Sequence, residues 1–276
     1  MRYCRAMDPR THPPSSSGYD AAFVAQALDD ALAHECRLYG IAGLQGTGKS
    51  TLAAQVAALA ARQGRNVVVL SIDDFYLDLD ARHALARDVH PLLATRGPPG
   101  THDLPLAVGT LDALLAGANT PLPCFDKIED RRLPQAAWPH SGHADLVILE
   151  GWFSKVPPQA EAELTQPLNA LERDEDPDGG WRRFCNDALG RDYPPLWQRV
   201  DRLLFLQGPG FEVVPEWRWQ QERTLQAANP GRRAMDRAQV LRFVQFFERV
   251  SRHALRTLPG IADRVVRLDA HRHPTP

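Results

Sequence analysis

The 276-residue chain predicts an α/β fold, a three-layer sandwich in which helices cover both faces of a mostly parallel sheet. Three observations carry this. Apolar strand-like runs alternate with segments of helical period along the chain. Two runs, "NVVVLSI" and "ADLVILEGW", are nearly continuous, the mark of strands buried on both faces. "IAGLQGTGKST" (41–51) reads as a strand end, a glycine-rich loop and a helix start.

The elements follow in order. Residues 1–19, rich in Pro, Ser and charge, are expected to form a flexible tail, and residues 20–276 a single domain with lid and substrate-loop insertions. From Asp20 to about His34, Phe23, Ala27, Leu28, Ala31 and Leu32 recur at helical spacing. A short strand, Leu38 to Ala42, feeds the glycine loop, and "STLAAQVAALAARQG" is a helix ending at Gly64. After the "NVVVLSI" strand, "HPLLATRGPPGTHDLP" is a connection, and Leu106, Leu111, Leu114 and Leu115 mark an amphipathic helix. "PLPCFDKIEDRRLP" is read as a loop before the "ADLVILEGW" strand, and "ERDEDPDGG" as a solvated break. "DRLLFLQG" gives a further strand, "PEWRWQQERTLQAA" and "MDRAQVLRFVQFFERVSRHALRTL" two helices, and "DRVVRLDA" a last strand.

Composition narrows the function. Hydrophobic residues make up 43% and charged residues 24%, an ordinary globular balance. A net charge of -2 argues against a nucleic-acid partner. The four cysteines lie far apart, with neither zinc spacing nor a disulfide framework. No apolar run is long enough for a bilayer, and the N-terminus lacks a signal-peptide core, so a cytoplasmic protein without a membrane partner is expected.

"GLQGTGKS" matches G-x-x-x-x-G-K-[ST] through Gly43, Gly48, Lys49 and Ser50. The glycines let the backbone aim N–H groups inward, and the following helix adds its positive end. ATP contacts are expected from Gly43, Leu44, Gln45, Gly46, Thr47, Gly48, Lys49, Ser50 and Thr51. Lys49, at an exposed helix start, would reach the β- and γ-phosphates, and the Ser50 hydroxyl would bind Mg²⁺. "DLVILEG" delivers Glu150 at a strand's C-terminal end, where it can serve the metal or a substrate hydroxyl; a plain charged strand terminus is the alternative.

The loop alone does not separate a kinase from a switch or a motor. "SIDDFYLD" points to a kinase: Asp73 and Asp74 leave a strand at the same sheet edge, where a carboxylate can take an acceptor alcohol's proton. The alternative is that the pair caps the next helix or turn.

"SIDDFY" resembles the Ser-x-Asp-x-Phe-Tyr signature of the P-loop small-molecule kinases, the group with uridine kinase, phosphoribulokinase and bacterial pantothenate kinase. The chain more closely resembles D-glycerate 3-kinases of the plant and fungal type, at "GLQGTGKST", "SIDDFYLD", "RGPPGTHDLPL", "FDK", "LVILEGWF", "LNALE", "EWRWQQE" and "MDRAQVLRFVQFFERV". The resemblance implies phosphoryl transfer from Mg·ATP to a small organic acid, most specifically D-glycerate to 3-phosphoglycerate. It implies Asp73 as base, Glu150 as strand-end acid, and Asp74, Tyr76, His102 and Asp103 in the acceptor pocket. Lys127, Arg131 and Arg132 would meet an acceptor carboxylate, or form a solvated basic loop. Arg218 and Arg223 would belong to a lid, although Arg218 and Glu222 also have the spacing of an ordinary helical ion pair. Plant-type members continue after "DK" with Gly-Arg-Gly-Asp-Arg; here the chain reads "FDKIEDRRLP", which opens the acceptor to other small alcohols, a nucleoside or a pantothenate-like compound. A nucleotide-gated binding protein is the reading from another class; it would want a Cys/His cluster or an Asn-Lys-x-Asp run, and the chain has neither.

Overall fold

The computed structural model describes residues 18–127, 129–228 and 234–275; the expected tail, apart from Gly18 and Tyr19, lies outside them. In chain order the elements are α1 (Ala21–Leu32), β1 (Leu38–Gly43), α2 (Lys49–Arg62), β2 (Val67–Ser71), α3 (Leu79–Asp88), α4 (Leu104–Leu115), β3 (Phe125–Asp126) and β4 (Arg131–Arg132). There follow β5 (Leu146–Gly151), α5 (Ala170–Glu175), α6 (Gly180–Arg191), α7 (Pro194–Trp197), β6 (Arg202–Gln207), α8 (Val214–Ala228), α9 (Arg237–Thr257), β7 (Arg264–Leu268) and β8 (Pro274–Thr275).

Six strands form one sheet in the order β2-β5-β1-β6-β7-β8. The first five run parallel and β8 returns antiparallel on β7. Strand alternation sorts the side chains to two faces. Leu38, Ala42, Val147, Leu149, Leu203 and Phe205 point into a core covered by α4, α6, α7 and α9. Tyr39, Ile41, Leu146, Ile148, Leu204 and Leu206 point into the other, covered by α1 and α2. This is the three-layer sandwich the sequence predicts. No helix among the described residues is long and apolar enough to cross a membrane.

Several elements depart from the expectation. Helices α3, α6 and α7 lie in stretches for which the sequence predicted no element. The stretch around "FDKIEDRR" is not all loop: β3 and β4 pair antiparallel. "ERDEDPDGG" is not a solvated break: it holds the end of α5 and the start of α6, with Glu172 and Asp176 buried. Glu172 is gripped by Arg249 at 2.6 Å and Asp176 by Arg182 at 3.0 Å. An acidic run reads as solvated only while its partners, here Arg182 just past the run on α6 and Arg249 on α9, are unseen. Tyr19, assigned to the tail, is packed into the fold.

Candidate active site

Sheet order brings the chemistry together. β5 lies between β2 and β1, and its Glu150 is level with Ser71 of β2 and Ile41 of β1. The glycine loop after β1, the Asp pair after β2 and the acid on β5 therefore share the carboxyl edge of the sheet, where ligands of open α/β sheets bind.

The loop is built tightly. Gly46 and Gly48 have φ of 85° and 88°, a region that side chains disfavour. A Cβ on Gly43 would stand 2.8 Å from the Leu206 carbonyl and the Thr47 hydroxyl. The Leu44 carbonyl accepts from Thr47 Oγ1 at 2.9 Å and from Lys49 Nζ at 3.0 Å. Lys49 is thus not exposed, as the sequence suggested, but 8% accessible; the loop folds back over its own helix start and takes the ammonium inside. Burial lowers its pKa, while Glu150 and Asp73 oppose that. Gln45 accepts from Ser251 at 3.5 Å, and Thr51 is exposed on the first turn of α2.

Ser50 Oγ donates to Glu150 Oε1 at 2.8 Å. A hydroxyl and a carboxylate side by side are hard oxygen donors, which suits Mg²⁺.

The two aspartates have different roles. Asp74 Oδ2 accepts from the Ser71 N–H at 2.8 Å and closes a capping box around the turn after β2. Burial pushes its carboxyl up to about 7. Asp73 instead receives Lys127 Nζ at 2.7 Å and the Tyr76 hydroxyl. Burial works to raise its pKa, but Lys127 and Tyr76 outweigh it and hold Asp73 at about 2. The cap thus fixes the turn on which Asp73 is presented.

His102 pairs with Tyr76 across an isolated antiparallel bridge, and its ring lies 5.0 Å from that of Tyr76 and 5.6 Å from that of Phe153. Its Nδ1 stands 2.6 Å from the hydroxyl of Tyr193, which accepts from the Gly100 N–H at 3.0 Å. Burial lowers the His102 pKa to about 4, so the ring is neutral near pH 7. The arrangement that satisfies the phenol proton has Tyr193 donating to Nδ1, which leaves the ring proton on Nε2. That Nε2 is buried and has no hydrogen-bond partner among the described residues.

The remaining cations are distributed unevenly. Arg132 bridges Asp103 at 2.9 Å and the Tyr76 carbonyl at 3.0 Å, and Asp103 also caps α4. Arg131 is exposed on β4. Arg218 pairs with Glu222 at 3.0 Å and lies over the Phe243 ring, while Arg223 is exposed. Sequence reasoning missed Arg82 and Arg96, which hold Asp130 and with it the Lys127 hairpin. Arg96 stood inside the quoted "RGPPGTHD"; Tyr193 and Arg82 carried no local signal.

A glycine loop and two strand-end acids on this sheet define a P-loop nucleotide-binding phosphotransferase. No family model matches the sequence. The "Uncharacterized kinase mug58" of Schizosaccharomyces pombe is 31% identical over 225 residues, 76% of this chain and 78% of that one. The chloroplastic D-glycerate 3-kinase of Arabidopsis thaliana is 32% identical over 126 residues, 41% of this chain and 27% of that one. The solved D-glycerate 3-kinase of Cryptococcus neoformans shares the fold with a TM-score of 0.70 at 24% identity, over 92% of this chain and 96% of that one. The chain belongs to the P-loop small-molecule kinases. Among them it is similar to D-glycerate 3-kinase.

Proposed function

We propose that the chain transfers the γ-phosphoryl group of Mg·ATP to a hydroxyl of a small organic acid, and that this acid is D-glycerate, giving 3-phosphoglycerate. The observation that carries the reading is the Asp73–Lys127 pair, 2.7 Å apart at the sheet edge that also holds the loop and Glu150. A carboxylate beside an ammonium suits an acceptor with a hydroxyl at one end and a negative charge at the other.

The residues divide the work by chemistry. Loop N–H groups and Lys49 hold the phosphates and meet charge developing on the transferred group. Ser50 and Glu150 would hold Mg²⁺, which neutralises phosphate charge when bound. Asp73 orients the acceptor hydroxyl and accepts its proton as the phosphoryl group arrives. Lys127, with Arg131 and Arg132 on the same hairpin, offers positive charge to the carboxylate, which would otherwise be costly to bury. His102, through Nε2–H, donates to an acceptor oxygen, with Tyr76 and Asp103 framing the same pocket. Arg218 and Arg223 close over the phosphates on α8.

ADP release from ATP is followed with D-glycerate, L-glycerate, uridine and pantothenate in turn. D-Glycerate should stimulate release and uridine should not. Stimulation by a neutral alcohol alone would overturn the glycerate assignment and leave the kinase standing; no dependence on any acceptor would overturn both.

A further inference from the structure

The outer side of the phosphate loop is gripped by two side chains from the far ends of the chain. Arg272, in the turn between β7 and β8, donates through Nε to the Gly46 carbonyl at 2.6 Å. Tyr19, just before α1, donates its hydroxyl to the Thr47 carbonyl. The two accepting carbonyls belong to consecutive peptides of the loop.

Both donors are themselves held. Tyr19 is bracketed by Gln55, which accepts from its N–H at 3.0 Å and donates to its carbonyl at 2.9 Å. Its ring packs 5.1 Å from that of Phe23 and lies 3.3 Å from where a Gly48 Cβ would stand. Arg272 lies 4.9 Å over the ring of Trp217 and donates to Gln220 at 3.0 Å. Trp217 in turn donates to the Ala270 carbonyl at 2.9 Å, and its own Cβ would be 2.6 Å from a Cβ at Gly46.

A trans peptide is planar, and its carbonyl and N–H point in opposite directions. A donor fixed on the Thr47 carbonyl therefore turns the Gly48 N–H away from Tyr19. A donor fixed on the Gly46 carbonyl turns the Thr47 N–H away from Arg272, on the side where it makes a long 3.3 Å bond to the Leu44 carbonyl that a phosphate oxygen can replace. Glycine at 46 and 48 gives these peptides freedom to rotate; the long Thr47 N–H bond to the Leu44 carbonyl restrains the first from within the loop, and the second takes its orientation from Tyr19 outside it. An N–H already turned inward binds phosphate without a further reorganisation cost.

We propose that Tyr19 and Arg272 are positioning residues that set the two peptide planes of the phosphate loop, and so determine affinity for the nucleoside triphosphate. The proposal rests on the loop being the ATP site. It makes the N-terminal segment and the C-terminal hairpin parts of the nucleotide site that no motif marks.

The test compares wild type with Tyr19→Phe and Arg272→Lys. Tyr19→Phe keeps the ring and removes one donor; Arg272→Lys keeps the charge and loses the Nε donor to Gly46 together with the bond to Gln220. Each is measured for ATP dissociation constant, acceptor KM, thermal midpoint, and the ADP-induced shifts of the Thr47 and Gly48 amide resonances. Loss of one hydrogen bond should weaken ATP binding roughly 3–10-fold. The acceptor KM and the thermal midpoint should stay near wild type. Tyr19→Phe should reduce the shift at Gly48, and Arg272→Lys that at Thr47. Equal ATP affinity in all three proteins, or loss of affinity with both amide shifts intact, would overturn the clamp. A wild-type protein that binds no ATP would overturn the phosphate-loop reading and the clamp with it.

Discussion

Asn at position 73 keeps the size of the side chain and removes its charge, so Asp73→Asn isolates the proposed base. The stability effect can be bounded first. Asp73 is held at about 2 against an ordinary 3.8. A shift of that size corresponds to at most about 2.5 kcal/mol at neutral pH. Its partner Lys127 is 54% exposed, so solvent screening brings the figure below about 1 kcal/mol. The sign is that of a depressed carboxylate: the contribution is present above the unfolded value of 3.8 and is lost as pH falls through 2. The variant should therefore be folded at pH 7 and bind ATP nearly normally, because Glu150 still supports the charge of Lys49 when that of Asp73 is gone. Turnover should fall ~10²–10⁴-fold. The assay is ADP release with D-glycerate, beside fluorescence-detected ATP binding and urea denaturation on the same samples. A folded, ATP-binding Asp73→Asn protein with kcat within a few-fold of wild type would refute the role of Asp73 and return it to a salt bridge that shapes the hairpin.

Lys49→Ala should abolish turnover while the thermal midpoint holds, since a buried ammonium contributes little to folding and much to a charged transition state; near-normal ADP release from the folded variant would count against the loop. Tyr193→Phe leaves His102 Nδ1 and the Gly100 N–H without their shared partner, so urea denaturation should show a loss of about 1–3 kcal/mol, with acceptor KM raised and ATP KM unchanged; a rise in ATP KM alone would contradict the placing of His102 at the acceptor. Asp74→Asn should gain stability relative to wild type as pH rises from 4 to 8. The raised carboxyl favours folding below its unfolded 3.8 and loses that contribution as pH passes 7, whereas Asn has nothing to ionise; thermal midpoints that track in parallel across that range would show Asp74 to be solvated.

What was legible in the sequence shares one property: it is local. A strand, a glycine turn and a helix start fall within eleven residues at 41–51, and Glu150 closes an unbroken apolar run. Order along the chain then places them together, because parallel strands all deliver their carboxyl ends to one edge. What was illegible depends on how the chain folds back on itself, over a few positions or over many. Lys49 reads as exposed until the loop is seen to fold over it. Asp73 and Asp74 are chemically identical neighbours, and only the hydrogen bond from Ser71 assigns one to the cap and leaves the other to Lys127. Glu172 and Asp176 look like surface charge until Arg249 and Arg182 are in place. His102 gains a defined tautomer only from Tyr193, ninety-one positions later.

The departure from the plant-type pattern has a physical explanation in the hairpin. In Gly-Arg-Gly-Asp-Arg after "DK", the third residue is a glycine; here that position is Asp130. Asp130 has φ of 55°, a left-handed conformation that glycine adopts freely and aspartate only with some strain. Two arginines hold it there. Arg82 is 1% exposed and reaches the Asp130 carboxylate at 2.7 Å and its carbonyl at 3.1 Å. Arg96 grips the same carboxylate and donates to the Lys127 carbonyl at 3.0 Å. The turn that glycine would form through flexibility is here formed by ion pairs. Those pairs anchor the hairpin to α3 and to the segment before Gly97. Substituting the glycine therefore does not free the loop: it transfers control of the Lys127 position from the backbone to Arg82 and Arg96. The charge facing Asp73 is kept, and the shape of the turn that carries it is fixed from two sides.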